Sequence, residues 1–355
     1  MTVPALQPVF ILSMPRSGST LLQRLVGNAD YVATHAEPWI MLPLMEHMLA
    51  DDSPSASRYD GATAAVAVAE FTDRLPHGRA DVEAAIRTMV TSLYDSASEP
   101  GTRFYLDKTP RYAAYLDELM AVFPSARYIV LQRDIREVIA SIIRTWGAGK
   151  WNVFLYTIDL VDGFDRLSAL SQNPGPNCLV IEFADLVDDL PATSERISKF
   201  LGIHVPPALL PPDDPAIEGS VGDRESPGRR AEGTVRPHVH WDENFQGVVR
   251  RLWLAWYLRR RRRAGSVVPG PIPITTARRL YDHPSDLLLV PMSLLWPTLN
   301  QLSGFRLETA VRSRRSSIVR QHLVARPQRR IGADRVRGGQ SAAVQRPVYG
   351  TTSER

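Results

Sequence analysis

The chain has 355 residues, 44% of them hydrophobic and 23% charged, which is enough apolar material for one large core with an appendage and excludes a disordered or fibrous protein. A net charge of +4 favours anionic ligands without demanding nucleic acid, and a single cysteine, Cys178, excludes a disulfide framework and suits a reducing, cytoplasmic setting. No positively charged stretch precedes the first apolar run, as a secretory signal would require, and the best membrane-span candidate, Leu287 to Leu302, is interrupted by Pro291 and Pro297 and reads as a buried or interfacial helix.

In chain order, Val9 to Ser13 is a short apolar run ahead of a Pro/Gly/Ser cluster, the pattern of a buried strand entering a loop. Ser19 to Gly27 has helical spacing, with Leu21, Leu22, Leu25 and Val26 on one face. Residues 39–100 read as mostly helical, with breaks around Asp51 to Pro54 and Pro76 to Gly78. Arg127 to Gln132 is a second buried strand. The helix after it is capped by Asp134 with Glu137 three residues on, and Val138, Ile139, Ile142, Ile143 and Trp146 form its apolar face. Cys178 to Phe183 is a third strand, and the helix beyond it ends at Leu201 with Gly202 placed to close it. Strands alternating with helices imply an α/β fold, a mainly parallel sheet flanked by helices.

Composition changes near Ala264. Five consecutive arginines, Arg259 to Arg263, are followed by Pro269, Pro271 and Pro273, a linker signature. The reading is a domain over 1–264 and an Arg/Pro-rich extension over 265–355, with helix over 274–310 and a disordered tail. From Gly304 onward the tail holds 12 Arg against three acids, Glu308, Asp334 and Glu354.

The segment that carries chemistry is Ser13-Met14-Pro15-Arg16-Ser17-Gly18-Ser19-Thr20, which joins a buried strand to a helix start. Free N–H groups and the helix dipole make such a junction an anion site. Gly18 permits a tight turn and close approach, Ser17, Ser19 and Thr20 add hydroxyl donors, and Arg16 adds charge. Set against G-x-x-x-x-G-K-[ST], Ser13 stands at the first Gly and Ser19 at the Lys. The side chain that reaches terminal phosphates is therefore missing, which argues against ATP or GTP hydrolysis. The plain alternative is a strand–turn–helix with an ordinary hydroxyl cap.

Pro15 to Leu22 resembles the 5′-phosphosulfate loop of sulfotransferases that use 3′-phosphoadenosine-5′-phosphosulfate, P-[RK]-S-G-[TS]-[TS]-L/W. Tyr128 to Ser141 is similar to their 3′-phosphate site, an Arg at a strand end and a Ser eight residues later; here these are Arg133 and Ser141. Val180 to Leu186, followed by Lys199-Phe200-Leu201-Gly202, resembles a third block of the family. The nearest likeness is to tyrosylprotein sulfotransferases and their bacterial relatives, in which a Glu 21 residues past the loop Arg is the general base; that position is Glu37. Asp107-Lys108-Thr109-Pro110 is similar to their N-K-D-P-like segment, and the His of the cytosolic phenol and steroid enzymes is absent after Lys108-Thr109. The resemblance covers roughly residues 8–205.

The resemblance implies Glu37, Lys108 and Arg16 as catalytic groups: Glu37 taking the acceptor's proton, Lys108 neutralising the leaving oxygen, Arg16 and the loop amides holding the sulfuryl group. Arg16, Ser17, Gly18, Ser19, Thr20, Arg133 and Ser141 would bind the donor, with no metal required. The acceptor would be a small-molecule, glycan or lipid hydroxyl, with no nucleic-acid partner. Arg224, Arg229, Arg230 and Arg236 are candidates for a lid over the nucleotide. His35 is a second base candidate or a structural residue. Trp39, Met41, Phe71, Tyr94 and Tyr105 are candidates for an acceptor pocket or simply core. His238-Val239-His240 lacks a third metal ligand, and Cys178 reads as an inert thiol. The Arg259 to Arg263 run is a solvated face or a contact to anionic lipid or nucleic acid, with peripheral membrane contact through the basic C-terminal region left open. Rival readings are a nucleotide-binding phosphotransferase and a catalytically dead sulfotransferase-like binding module.

Overall fold

A computed structural model describes residues 6–45, 48, 61–211, 214, 217, 240–270 and 272–302. Five parallel strands make one sheet: β1 (Gln7–Ser13), β2 (Val32–Thr34), β3 (Phe104–Asp107), β4 (Arg127–Gln132) and β5 (Cys178–Glu182), in the order β2-β3-β1-β4-β5. β1 is central and fully buried from Pro8 onward, which explains its unbroken apolar run. β2 and β3 were not anticipated; they have three and four residues, too few to show a period.

Side-chain alternation divides the core into two layers. Phe10, Leu12, Tyr105, Tyr128 and Val130 face one side and pack in a single cluster with α4 (Arg79–Ser96), α5 (Leu116–Val122), α6 (Ile135–Gly147), α7 (Phe164–Gln172) and α10 (Val248–Arg263). Val9, Ile11, Phe104, Leu106, Ile129 and Leu131 face the other side, with α1 (Ser19–Val26), α8 (Phe183–Asp188) and α9 (Leu190–Leu201). Between β2 and β3 lie α2 (Met41–Leu44), α3 (Gly61–Thr72) and α4, with the expected break between the last two; the expected break at Asp51 to Pro54 falls outside the described residues. α6 is capped as anticipated, Asp134 accepting from the Arg136 N–H at 2.8 Å. α9 closes on Gly202 in the left-handed conformation, φ 69°.

Beyond Ala264, where the sequence suggests a domain end, the described chain packs back on the same core. The described chain ends at Leu302, and residues 309–355, grouped apart, lie outside the described residues. The segment after Ala264 returns along α10 and leads into α11 (Asp286–Leu302), which runs on through Pro291 and Pro297. The reason is a buried ion pair. Arg250 of α10 is 1% exposed and meets Asp286, 0% exposed, at 2.8 Å. The same guanidinium donates to the Gly149 carbonyl at 2.8 Å, and the indole N–H of Trp151 donates to Ser293 at 2.6 Å. Among the described residues no helix is long and apolar enough to cross a membrane.

Breaking a buried pair strands the other charge, which costs about 3–5 kcal/mol. Asp286→Ala should lower the unfolding free energy by about that amount in urea titration, and a chain ending at Ala264 should lose at least as much. Unaltered midpoints in both would contradict this packing.

Candidate active site

β1 lies between β3 and β4, so the ends of these three strands open onto one crevice, where the strand order reverses. The β1 end turns through Met14 to Gly18, with the Ser17 N–H donating to the Met14 carbonyl at 3.2 Å. Two residues of this turn are left-handed, Arg16 at φ 68° and Gly18 at φ 96°. Gly18 is the N-cap of α1 and has no side chain to cap it, so the first N–H groups of the helix face the crevice without one. A Cβ on Gly18 would lie deep inside the contact distance of the Phe183 ring. The hydroxyls of Ser13 and Ser17 are buried, the residues 0% and 1% exposed, and neither has a hydrogen-bond partner. Buried polar atoms left in this state are rare, and water or a bound ligand would satisfy them.

Beside this loop, the β4 end and α6 supply a basic cluster. Arg133 lies over the Phe183 ring, 4.1 Å from its centroid, and donates to Glu137 at 2.9 Å and to the Arg16 carbonyl at 3.2 Å. Arg16 donates to the Ser141 hydroxyl at 3.3 Å and to Thr145 at 3.4 Å, and its guanidinium faces the Trp146 ring at 5.7 Å. Arg16, Arg133 and Ser141 are thus brought together, with Arg16 as the link between the other two. Glu137, read from the sequence as the second half of a capping pair, holds Arg133.

On the other side, β3 delivers Asp107 and Lys108. Asp107 is fully buried and accepts from the hydroxyls of Tyr94 at 2.6 Å, Thr109 at 2.9 Å and Tyr112 at 3.0 Å. Burial pushes its carboxyl up to about 6, against the pull of those donors. Lys108, its side chain 3% exposed, meets Glu37 at 2.7 Å and Thr20 at 3.4 Å. The second Glu37 oxygen accepts from the indole N–H of Trp39 at 3.0 Å. Trp39 is left-handed, φ 57°, and the Arg111 guanidinium lies against its ring at 5.8 Å; Arg111 is itself anchored on Asp159 at 3.0 Å.

These groups border a cavity of about 230 Å³. Of the residues anticipated from sequence, Arg16, Gly18, Ser19, Thr20 and Glu37 line it, whereas Ser17, Lys108, Arg133 and Ser141 stand behind that lining. Of the acceptor-pocket candidates only Trp39 lines it. Met41, Tyr94 and Tyr105 are buried in the core, and Phe71 is exposed on α3. Arg111, Trp146 and Tyr156 were missed as cavity walls, and Phe183 as the residue beneath the loop; a lone aromatic or Arg gives no signal until the fold places it. His35 pairs with the Tyr105 hydroxyl at 3.0 Å and is not among the lining residues; burial pulls its imidazole below the ordinary value, and the structural role fits. Burial likewise pushes the Cys178 thiol up to about 11, away from reactivity. The four lid candidates and His238 lie outside the described residues, among which no metal-ligand cluster occurs.

The sequence model described as "Sulfotransferase family" matches residues 8–207, more than half of the chain. Nodulation protein NoeE of Sinorhizobium fredii (strain NBRC 101917 / NGR234) is 36% identical over 138 residues, 39% of this chain and 31% of that protein. An uncharacterized protein of Aquifex aeolicus (strain VF5) is 27% identical over 161 residues, 44% of this chain and 19% of that protein. The chain therefore matches under a third of the length of these relatives. Among solved structures, the sulfotransferase domain from the Synechococcus PCC 7002 olefin synthase is 23% identical, covering 68% of this chain and 89% of that one at a TM-score of 0.43.

Gly18→Ala should destabilise the protein on two counts, the left-handed backbone and the Phe183 contact. The backbone share is roughly 1 kcal/mol or more. In a double-mutant cycle read by thermal unfolding, Phe183→Ala should relieve the contact share alone, so that the two substitutions are less than additive. Strict additivity would show that the ring does not press on the loop.

Proposed function

The chain belongs to the sulfotransferase family, and from that premise we propose that it transfers the sulfuryl group of 3′-phosphoadenosine-5′-phosphosulfate to the hydroxyl of a small-molecule, glycan or lipid acceptor, with Glu37 as general base. The observation that carries this reading is the ion pair of Glu37 with Lys108 at 2.7 Å, on the wall of the cavity headed by the Arg16–Thr20 turn. A proton acceptor and a cation 71 residues apart in sequence are held side by side where an acceptor and a bound anion would meet.

The crevice suits the donor chemically. The partnerless hydroxyls of Ser13 and Ser17 and the uncapped start of α1 offer donors to the phosphosulfate end. Arg133 and Ser141, gathered around Arg16, offer charge-assisted hydrogen bonds to a 3′-phosphate. When bound, the donor supplies an activated sulfuryl group. Everything else falls to the chain's own residues.

Glu37 faces the cavity with its carboxylate fixed at both oxygens, by Lys108 on one and Trp39 on the other, and takes the acceptor's hydroxyl proton on a remaining lone pair. Lys108 is placed to turn from Glu37 toward the leaving oxygen as charge develops there. Arg16, held by Ser141 and Thr145, orients the transferring group from the opposite side. Trp39, Trp146 and Tyr156 wall the acceptor's approach. Ser19, where a triphosphatase would carry Lys, weighs against a phosphotransferase.

Glu37→Gln keeps an oxygen for Lys108 but removes the proton acceptor. Turnover of an aliphatic alcohol should fall about 10²–10⁴-fold with donor affinity little changed. A phenol of low pKa is ionised already and should partly rescue Glu37→Gln. It should not rescue Lys108→Ala, whose defect lies in leaving-group stabilisation. Wild-type turnover of the alcohol by Glu37→Gln would move the base to another group.

A further inference from the structure

Helix α10 has two unlike faces. The inner face is buried through Trp253, Leu254, Tyr257 and Leu258. The outer face, at positions i, i+4, i+7, i+8 and i+11, carries Leu252, Trp256, Arg259, Arg260 and Arg263, all exposed; Leu252 is 50% and Trp256 36% exposed. A solvated helix face ordinarily bears polar residues at such positions, not Leu and Trp.

The chain after α10 runs back along the helix. Arg262 donates to the Pro269 carbonyl at 2.8 Å, Arg251 to that of Pro273 at 2.8 Å, and the N–H of Val249 to that of Leu280 at 3.1 Å. This return brings Ile274, Leu280 and Tyr281, also exposed, beside the helix. Of the sixteen large apolar side chains exposed among the described residues, nine lie in the stretch from Leu252 to Leu294.

The charge of the same stretch is one-sided. Its only acids from Val248 to Leu294 are Asp282 and Asp286, whose side chains are 5% and 0% exposed and pair with Arg250 and Arg279. The exposed ionic groups of α10 are arginines alone; Arg261, the buried member of the run, pairs with Asp165 at 2.5 Å.

We propose that the outer face of α10, with the return segment 273–281 beside it, docks the protein on an anionic lipid surface. The arginines match phosphate and carboxylate headgroups, and Leu252, Trp256, Ile274 and Leu280 match the boundary with the acyl chains. A nucleic acid would use the arginines and leave Leu252, Ile274 and Leu280 unpaired.

The test is cosedimentation of the full chain with phosphatidylcholine vesicles, with and without phosphatidylserine. Binding is expected only with the anionic lipid and should weaken as salt is raised. Arg259→Gln/Arg260→Gln/Arg263→Gln should weaken it on the order of 100-fold, since each arginine near the surface contributes about fivefold. Leu252→Ser/Trp256→Ser should weaken it on the order of 10-fold with the folded state retained, as read by circular dichroism, since Leu252 is 50% and Trp256 36% exposed. No binding, equal binding to neutral vesicles, or full binding by the arginine variant, which would place the contact in the basic tail, would each overturn the proposal. So would tighter Arg-dependent binding to a DNA duplex that ignores Leu252→Ser/Trp256→Ser.

Discussion

The contact of Phe183 with Gly18 and Arg133 is the constraint on which the site depends. The ring begins α8 at the end of β5, presses against the one residue of the loop that lacks a Cβ, and carries the Arg133 guanidinium 4.1 Å from its centroid. Three strand ends, those of β1, β4 and β5, are tied together by one aromatic side chain. Arg16 is the strained residue of the loop, held left-handed at a cost on the order of 1–3 kcal/mol that persists only where the surroundings over-determine it, whereas Gly18 takes the same region freely.

The other half of the site is built on charge held out of water. Lys108 and Glu37 are nearly inaccessible, and the pair is supported from behind by Asp107 with its three hydroxyl donors. Tyr94 and Tyr112 are therefore more than core aromatics. They satisfy a buried carboxyl that would otherwise make the end of β3 costly, and so fix the backbone from which Lys108 projects. Trp39 adds a third left-handed residue, stabilised by its bond to Glu37 and its contact with Arg111. Across the crevice, strained or desolvated groups are held by neighbours that are themselves anchored, as Arg111 is on Asp159.

Much of this was legible in the sequence. The apolar run before Ser13, the start of α1, the Asp134 cap and the Gly202 closure follow from local rules, because each depends on residues a few positions apart. Glu37, Lys108, Arg16, Arg133 and Ser141 were found by motif, and the fold gathers them around one crevice. What was not legible is which of them touch. The Lys108–Glu37 pair and the wedge of Phe183 are contacts between distant segments, set by the strand order rather than by spacing, while the local i,i+4 pair of Arg133 with Glu137 competes with the capping role that the sequence also allows Glu137. β2 and β3 were too short to show a period. The prolines after Ala264 do mark a change of direction, and what the sequence does not show is that the chain there turns back onto the core to bring Asp286 to Arg250.

The central claim is that the crevice recognises a nucleotide by its 3′-phosphate. The most direct measurement is calorimetric titration with adenosine 3′,5′-bisphosphate against adenosine 5′-monophosphate, which differ only in that group. Charge-assisted hydrogen bonds contribute about 1.5–3 kcal/mol, so the bisphosphate should bind roughly 10–100-fold more tightly, and Arg133→Ala should erase the difference. Equal affinity for the two nucleotides in the wild-type protein would contradict the account.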